Sequence, residues 1–365
     1  MKVDVIGTRG FPRIEGGVEK HCEALYPRLS RKVDVLVYRR RPYVEAREPY
    51  RGVSFIDLPS TKVKGFEAVL HSLFATCVAL KRKPDIVHYH NIGPALFSPL
   101  LKLRSIPMIL TYHSPNYEHD KWGIGAKKLL MLCEKVALGN AQRVIFVNRF
   151  QMQSYSKGIV SKSVYIPNGI VEPPASGEHG SLARFGLEPN KYLLSVGRIT
   201  PEKGFDTLIR AFERARLDGF KLAIVGGVES ESRYKEELDQ LAKNMPVVFT
   251  GQLHGEELAQ MYRNAALYVL ASRNEGFPLA LLESMSYGLD VLVSDIPATH
   301  LVSLEDEDYC PVGDIAALAD GIEKKLKGMR KREYDLTSFD WDEIAWETFG
   351  VYRAVLHENT GRHDT

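Results

Sequence analysis

Short apolar runs alternate along this chain with longer stretches in which apolar residues recur every three or four positions. The short runs read as strands buried on both faces, because they are continuous rather than alternating. In the first half they fall at residues 3–6, 33–38, 53–57, 85–88, 108–111, 144–147 and 163–166. Helix-period segments lie between several of them, at 18–30, 65–81 and 127–137. In the second half the strand runs are 192–196, 221–225, 247–250, 268–270 and 291–294. Helical segments follow each of these, at 205–216, 232–243, 255–263, 278–287 and 315–327. Strand and helix in strict alternation predict parallel sheets with helices on both faces.

One polar stretch interrupts the alternation: Val171-Glu172-Pro173-Pro174-Ala175-Ser176-Gly177-Glu178-His179-Gly180. Its Pro and Gly content marks a linker. The division expected is therefore a doubly wound, Rossmann-like domain at 1–170, a linker at 171–184 and a second such domain at 185–340. Residues 341–358 form a C-terminal helix, and 359–365 a frayed tail. Ligands of doubly wound sheets bind beyond the carboxyl ends of the strands, so two facing domains predict a site in the cleft between them.

Composition narrows the class. The chain has 365 residues, 44% hydrophobic and 26% charged, as a soluble globular protein has. No apolar run reaches the roughly 18 residues needed to span a bilayer. The first strand begins at once, leaving no signal segment, so the expected location is cytoplasmic. Cys22, Cys77, Cys133 and Cys310 form no C-x-x-C pair and read as buried thiols of a reducing compartment. The net charge of +2 hides an asymmetry: residues 1–170 hold 27 Lys/Arg against 13 Asp/Glu, and the remainder 21 against 33. A basic half suits an anionic partner, although attraction between the two halves is a competing explanation.

Candidate chemistry clusters at strand ends. After the first strand comes Gly7-Thr8-Arg9-Gly10-Phe11-Pro12-Arg13-Ile14-Glu15-Gly16-Gly17-Val18-Glu19. Its spacing is not the G-x-G-x-x-G fingerprint, but Gly16 and Gly17 at a helix start let a ligand approach backbone N–H groups. The second domain opens with Gly197-Arg198 and then Glu202-Lys203-Gly204, two cations suited to phosphate. Further on, Arg273-Asn274-Glu275-Gly276-Phe277-Pro278-Leu279 leads from a strand into a helix that carries Glu283. The free N–H groups of a helix mouth suit phosphate, and Glu275 and Glu283 could bind sugar hydroxyls there. An ordinary acidic first turn is the alternative. His88, His90 and His113 lie at strand ends; no carboxylate or thiol at matching spacing argues for a metal. A nucleophile elbow, a Walker loop and a zincin motif are all missing.

Taken in order, these pieces resemble the GT-B glycosyltransferases, specifically glycosyltransferase family 4, the retaining group 1 transferases. The resemblance rests on Gly16-Gly17, His113, Pro167-Asn168-Gly169, Gly197-Arg198, Glu202-Lys203-Gly204 and Glu275 through Glu283 as an E-x7-E signature, and it covers nearly the whole chain. The opening Gly-Thr-Arg-Gly-Phe-Pro with Gly-Gly-Val-Glu is similar to bacterial rhamnosyl- and galactosyltransferase-like enzymes of surface polysaccharide synthesis. The resemblance implies that Arg198 and Lys203 hold the diphosphate and offset the charge of the departing nucleotide. It places His113 and Glu275 by the transferred sugar, and Glu283 on the ribose. Gly16, Gly17, Asn168, Gly197, Gly276, Phe277 and Leu279 would complete the donor site, the last two through their N–H groups. It also implies front-face transfer with retention, no metal, and no cofactor beyond the nucleotide-sugar donor. The loop Asp295-Ile296-Pro297-Ala298-Thr299-His300-Leu301 departs from the family's Gly-Gly-x-x-Glu-like pattern, and Asp290 stands where proline is common. The final helix, with Trp346, Phe349 and Tyr352 at helical spacing, fits one that crosses back onto the first domain.

The acceptor side falls to the basic first domain. Arg39-Arg40-Arg41, Lys62, Lys64 and Lys81-Arg82-Lys83 are expected to be exposed. Trp122 to Lys128, running into Leu129-Leu130-Met131-Leu132, mixes aromatic, basic and apolar residues in a way that suits a membrane carrying a lipid-linked or polysaccharide acceptor. The expectation is therefore a cytoplasmic, peripheral-membrane transferase. A nucleotide-sugar epimerase would instead turn over without an acceptor, and a silent binding subunit would bind a donor without transfer. Nucleic acid is disfavoured, because the basic residues are not interleaved with an aromatic platform.

Overall fold

The computed structural model describes residues 1–14, 16–44, 48–61, 66–115, 124–170, 180–228 and 233–360. Lys62, Lys64, Trp122, most of the 171–184 stretch and the last five residues lie outside them. The chain divides into two compact units, Met1–Gly169 with Ser338–Thr365, and Ile170–Thr337.

Seven strands build the first unit: β1 (Lys2–Ile6), β2 (Asp34–Arg40), β3 (Ser54–Leu58), β4 (Ile86–His90), β5 (Met108–Tyr112), β6 (Arg143–Phe146) and β7 (Ser163–Tyr165). They form one parallel sheet in the order β3-β2-β1-β4-β5-β6-β7. Alternate residues feed two cores. Val3, Val5, Val35, Val37, Ile86, Ile109 and Ile145 face a core shared with the helices Gly17–Leu29 and Trp341–Thr360. Leu36, Tyr38, Val87, Tyr89, Met108 and Leu110 face the other, beneath the helices Phe66–Arg82 and Ile124–Asn140 and the 3-10 helix Pro94–Arg104. Burial on both faces explains why these strands read as unbroken apolar runs.

The C-terminal helix packs along Gly17–Leu29, with Tyr352 and Trp341 buried. Trp346 is half exposed instead, and Lys32 Nζ sits 4.5 Å from its ring centroid. Two other expectations need correcting. Arg39 and Arg40 are buried, not exposed, because they end a central strand and carry their own counter-ions: Asp57 for Arg39 at 2.8 Å and Glu67 for Arg40 at 3.3 Å. Cys77 is exposed, unlike the other three cysteines.

The second unit holds six parallel strands: β8 (Tyr192–Val196), β9 (Lys221–Val225), β10 (Val247–Gly251), β11 (Leu267–Leu270), β12 (Val291–Ser294) and the two-residue β13 (Tyr309–Cys310). Their order is β10-β9-β8-β11-β12-β13. Leu193, Leu222, Ile224, Leu267, Val269 and Leu292 pack under the helices Phe205–Ala215 and Ile315–Lys327. In each sheet the order reverses beside the first strand, between β1 and β4 and between β8 and β11. Such switch points open a crevice at the carboxyl ends of the strands.

Candidate functional site

In the second unit the switch point gathers most of the expected donor residues. The loop after β8 carries Gly197 and the exposed Arg198, then turns through Pro201–Lys203. Gly204 ends that turn at φ 64°, and a Cβ there would stand 2.1 Å from Ala271 O, so only glycine fits against the loop after β11. That contact is reinforced from the other side. Arg273 N donates to Glu202 O at 2.7 Å, and the Arg273 guanidinium donates to Pro201 O and to Asp206. Lys203 and Glu275 thereby meet: Lys203 Nζ lies 2.6 Å from Glu275 Oε1, with the Glu275 side chain 9% exposed and that of Lys203 20% exposed. Ser272 Oγ donates to the same carboxylate oxygen at 2.7 Å.

Beyond Glu275 the chain enters the helix Leu279–Ser286, with Pro278 at its cap. Leu279 N–H is held by Phe277 O at 3.0 Å, so in this arrangement it is engaged locally rather than offered to a ligand. Glu283 is half-buried and accepts from Tyr262 OH at 2.9 Å. Burial and the nearby Glu283 push the Tyr262 phenol well above its ordinary range, which keeps it a donor to that carboxylate. Ser272 and Tyr262 are thus positioning residues that the sequence did not single out. Nothing in their spacing announces them, since Tyr262 stands 21 residues before its partner.

Asp290 has a structural explanation. It is buried beside Lys325 at 3.1 Å and Arg332 at 3.2 Å, in a cluster that includes the buried Asp308. In the departing loop, Thr299 Oγ1 donates to Ser294 O at 2.9 Å, while His300 pairs with Asp295 at 2.7 Å and stacks on Tyr309.

Gly16, Gly17, His113 and Asn168 belong to the first unit. Gly16 caps the Gly17–Leu29 helix at φ 138°, and a Cβ there would lie 1.9 Å from Glu19 Oε2. Glu19 in turn accepts from Arg9 N at 2.9 Å and so ties down the glycine-rich loop. The histidines gather nearby. His88 and His90 are fully buried in β4, and the partly buried His113 follows β5. His21, from the helix after β1, joins them and accounts for Asn168, whose Oδ1 lies 2.7 Å from His21 Nδ1. Burial lowers His21 to about 4 and His88 to about 3. His90 and His113 are pushed well below the usual range by burial and then by neighbouring histidines. All four rings are therefore neutral at pH 7.

Residues 183–334 match the family model for glycosyl transferases group 1, and residues 15–172 match the model for Glycosyltransferase Family 4. The chain belongs to this GT-B glycosyltransferase superfamily, and the two matches fall one on each unit. A sulfoquinovosyl transferase, SQD2 of Arabidopsis thaliana, is 30% identical over a match spanning 62% of this chain and 46% of that protein. A phosphatidyl-myo-inositol mannosyltransferase of Mycobacterium leprae is 27% identical over 74% of each chain. Among solved structures, the sucrose-phosphate synthase of Thermosynechococcus elongatus superposes with a TM-score of 0.78 at 22% identity, covering 98% of this chain and 99% of that one. This likeness shows the fold.

Proposed function

We propose that the protein is a retaining glycosyltransferase that moves a sugar from a nucleotide-diphosphate donor to a lipid-linked or polysaccharide acceptor of the cell surface. The observation that carries this reading is the Lys203–Glu275 pair beside the helix of Glu283. It supplies a cation for the diphosphate and two carboxylates for the hydroxyls of the donor's two sugars. In the reaction the bond from the anomeric carbon to the β-phosphate oxygen breaks, and the acceptor oxygen bonds that carbon from the same face. The acceptor proton passes to the leaving phosphate. Arg198 and Lys203 offset the charge that develops there, which is the main electrostatic demand of the step. Glu275 and Glu283 bind hydroxyls and are not an acid–base pair. The reaction is tested by proton NMR of the first-formed product. An α-configured donor should yield an α-linked product; a β-linked product overturns retention.

The acceptor side of the proposal rests on the first unit. Ile124, Lys128, Met131, Leu132 and Lys135 recur at helical spacing on the Ile124–Asn140 helix and are all exposed, with Leu129 beside them. The neighbouring 3-10 helix Pro94–Arg104 adds exposed Lys102, Leu103 and Arg104. An exposed face that mixes long apolar side chains with lysines suits the interface of an anionic bilayer. Among the described residues no helix is long and apolar enough to cross a membrane. Flotation with vesicles containing phosphatidylglycerol should recover the protein at low salt. Leu129→Glu with Met131→Glu should cut recovery at least fivefold, and about 0.5 M salt should weaken what remains. Equal recovery of variant and wild type removes the membrane face from the proposal.

A further inference from the structure

We propose that His21, His90 and His113 form a three-histidine site for a divalent transition metal of the Zn²⁺ class. The inference departs from the expectation of no metal, and it takes His113 as a ligand rather than as the sugar contact that the resemblance implies.

Three elements of the first unit deliver the ligands: His21 from the helix after β1, His90 from the end of β4 and His113 from just beyond β5. β1 and β4 flank the switch point and β5 pairs with β4, so the fold itself brings the three rings together. One ring nitrogen from each lies within 4.8 Å of the other two. Zn–N bonds of about 2.0–2.1 Å in a tetrahedral site place ligand nitrogens roughly 3.3 Å apart, so small ring movements would close the set.

The hydrogen bonds around the rings leave lone pairs where an ion would sit. His21 Nδ1–H is committed to Asn168 Oδ1 at 2.7 Å. Its Nε2 is then an acceptor, and it is buried with no hydrogen-bond partner. Such an orphan is costly unless a proton donor or a cation meets it. His90 is oriented from the opposite side. With Tyr26 OH accepting from its Nε2–H, His90 keeps its Nδ1 free, while Tyr26 OH and Tyr352 OH share His88 Nδ1 at 3.1 and 2.7 Å. That arrangement turns the His90 Nδ1 lone pair towards His113 Nε2, 3.0 Å away. His113 can donate to that lone pair from Nε2–H; with its proton on Nδ1 instead, it would present a second lone pair there for a cation to satisfy. Asn168 and Tyr26 occupy the place that outer-shell groups take in metal sites, where the non-ligating ring nitrogen of a histidine donates to an oxygen and fixes its tautomer. Three protein nitrogens leave a fourth position open for a water.

The test uses the full, untagged chain, stripped with a chelator and dialysed against Zn²⁺ or Co²⁺ alone. The expected result is about one metal per chain by mass spectrometry. The Co²⁺ form should show visible d–d bands of tetrahedral or five-coordinate strength. His113→Ala alters a partly exposed side chain and should fold; it should weaken metal binding at least tenfold. Asn168→Ala leaves all three ligands in place and should weaken binding about 10–100-fold by releasing His21. Circular dichroism confirms that each variant is folded. The proposal is overturned if the stripped chain takes up no stoichiometric metal, which would mean that a shared proton or a water joins the rings. Metal bound equally by wild type and His113→Ala overturns it as well.

Discussion

Lys203→Ala is expected to lower transfer by roughly 10²–10³-fold, the usual loss when one pre-placed donor to a developing anion is removed. The reason is local. Gly204 can follow Lys203 so closely against Ala271 only because it lacks a Cβ, and Arg273 ties the two loops together. The ammonium is therefore held in place before any ligand binds, with Glu275 at 2.6 Å. Glu275→Ala should reach the same loss by two routes: it releases Lys203, and it removes a partner for the sugar hydroxyls. Both variants should keep the fold. Lys203→Ala leaves Ser272 bonded to Glu275, so the cost in stability stays near 1–2 kcal/mol. The check is kcat and KM for each variant beside its melting curve. Full activity in both variants contradicts the assignment.

The largest effect on stability is expected at Lys325. Its ammonium is 4% exposed and bonds Asp308 and Asp290, which are 0% and 4% exposed. Arg332 completes the cluster at 2.7 Å from Asp308. Lys325→Met strands two buried carboxylates with one cation, and breaking a buried pair in this way costs about 3–5 kcal/mol. For a unit of this size that lowers the melting temperature by roughly 10 °C. Lys324 is the control: it also bonds a carboxylate, Glu307 at 3.0 Å, but its side chain is 69% exposed. Lys324→Met should change stability by no more than about 1 kcal/mol. The cluster also sets an acid limit. Burial raises Asp308, but hydrogen bonds from Arg332 and Lys325 outweigh it and hold the carboxyl below its usual range. A group with a lowered folded pKa stabilises above its unfolded value of about 3.9, and that contribution disappears as pH falls through the folded value. Wild type should therefore lose its advantage over Lys325→Met as pH drops below about 4. A gap between the two that is independent of pH contradicts the account.

Much of this arrangement was legible in the chain because it is local. Strands buried on both faces wrote themselves as apolar runs, and the loops proposed to hold the donor lie immediately after strands whose order fixes the switch point. What escaped depended on distant partners. Arg39-Arg40-Arg41 reads as a basic surface, yet Asp57 and Glu67 lie 18 and 27 residues further on and take the first two inside. Asp290 looked idle because Lys325 and Arg332 arrive from the far end of the unit. β13 has only two residues, too few to show a period, and it is held by its pairing with β12. His21 stood inside an ordinary amphipathic helix. Only the parallel order of β1, β4 and β5 brings it to His90 and His113.

On the function proposed, the loops of Lys203, Glu275 and Glu283 hold the diphosphate and sugars of the donor. A panel of uridine, guanosine and thymidine diphosphates and their sugars, read by thermal shift on wild type, Lys203→Ala and Glu283→Ala, tests it most directly. A ligand that binds only the folded chain must raise its melting temperature. One base series should stabilise wild type, and the shift should be largely lost in both variants. No shift with any donor, or equal shifts in all three proteins, would contradict it.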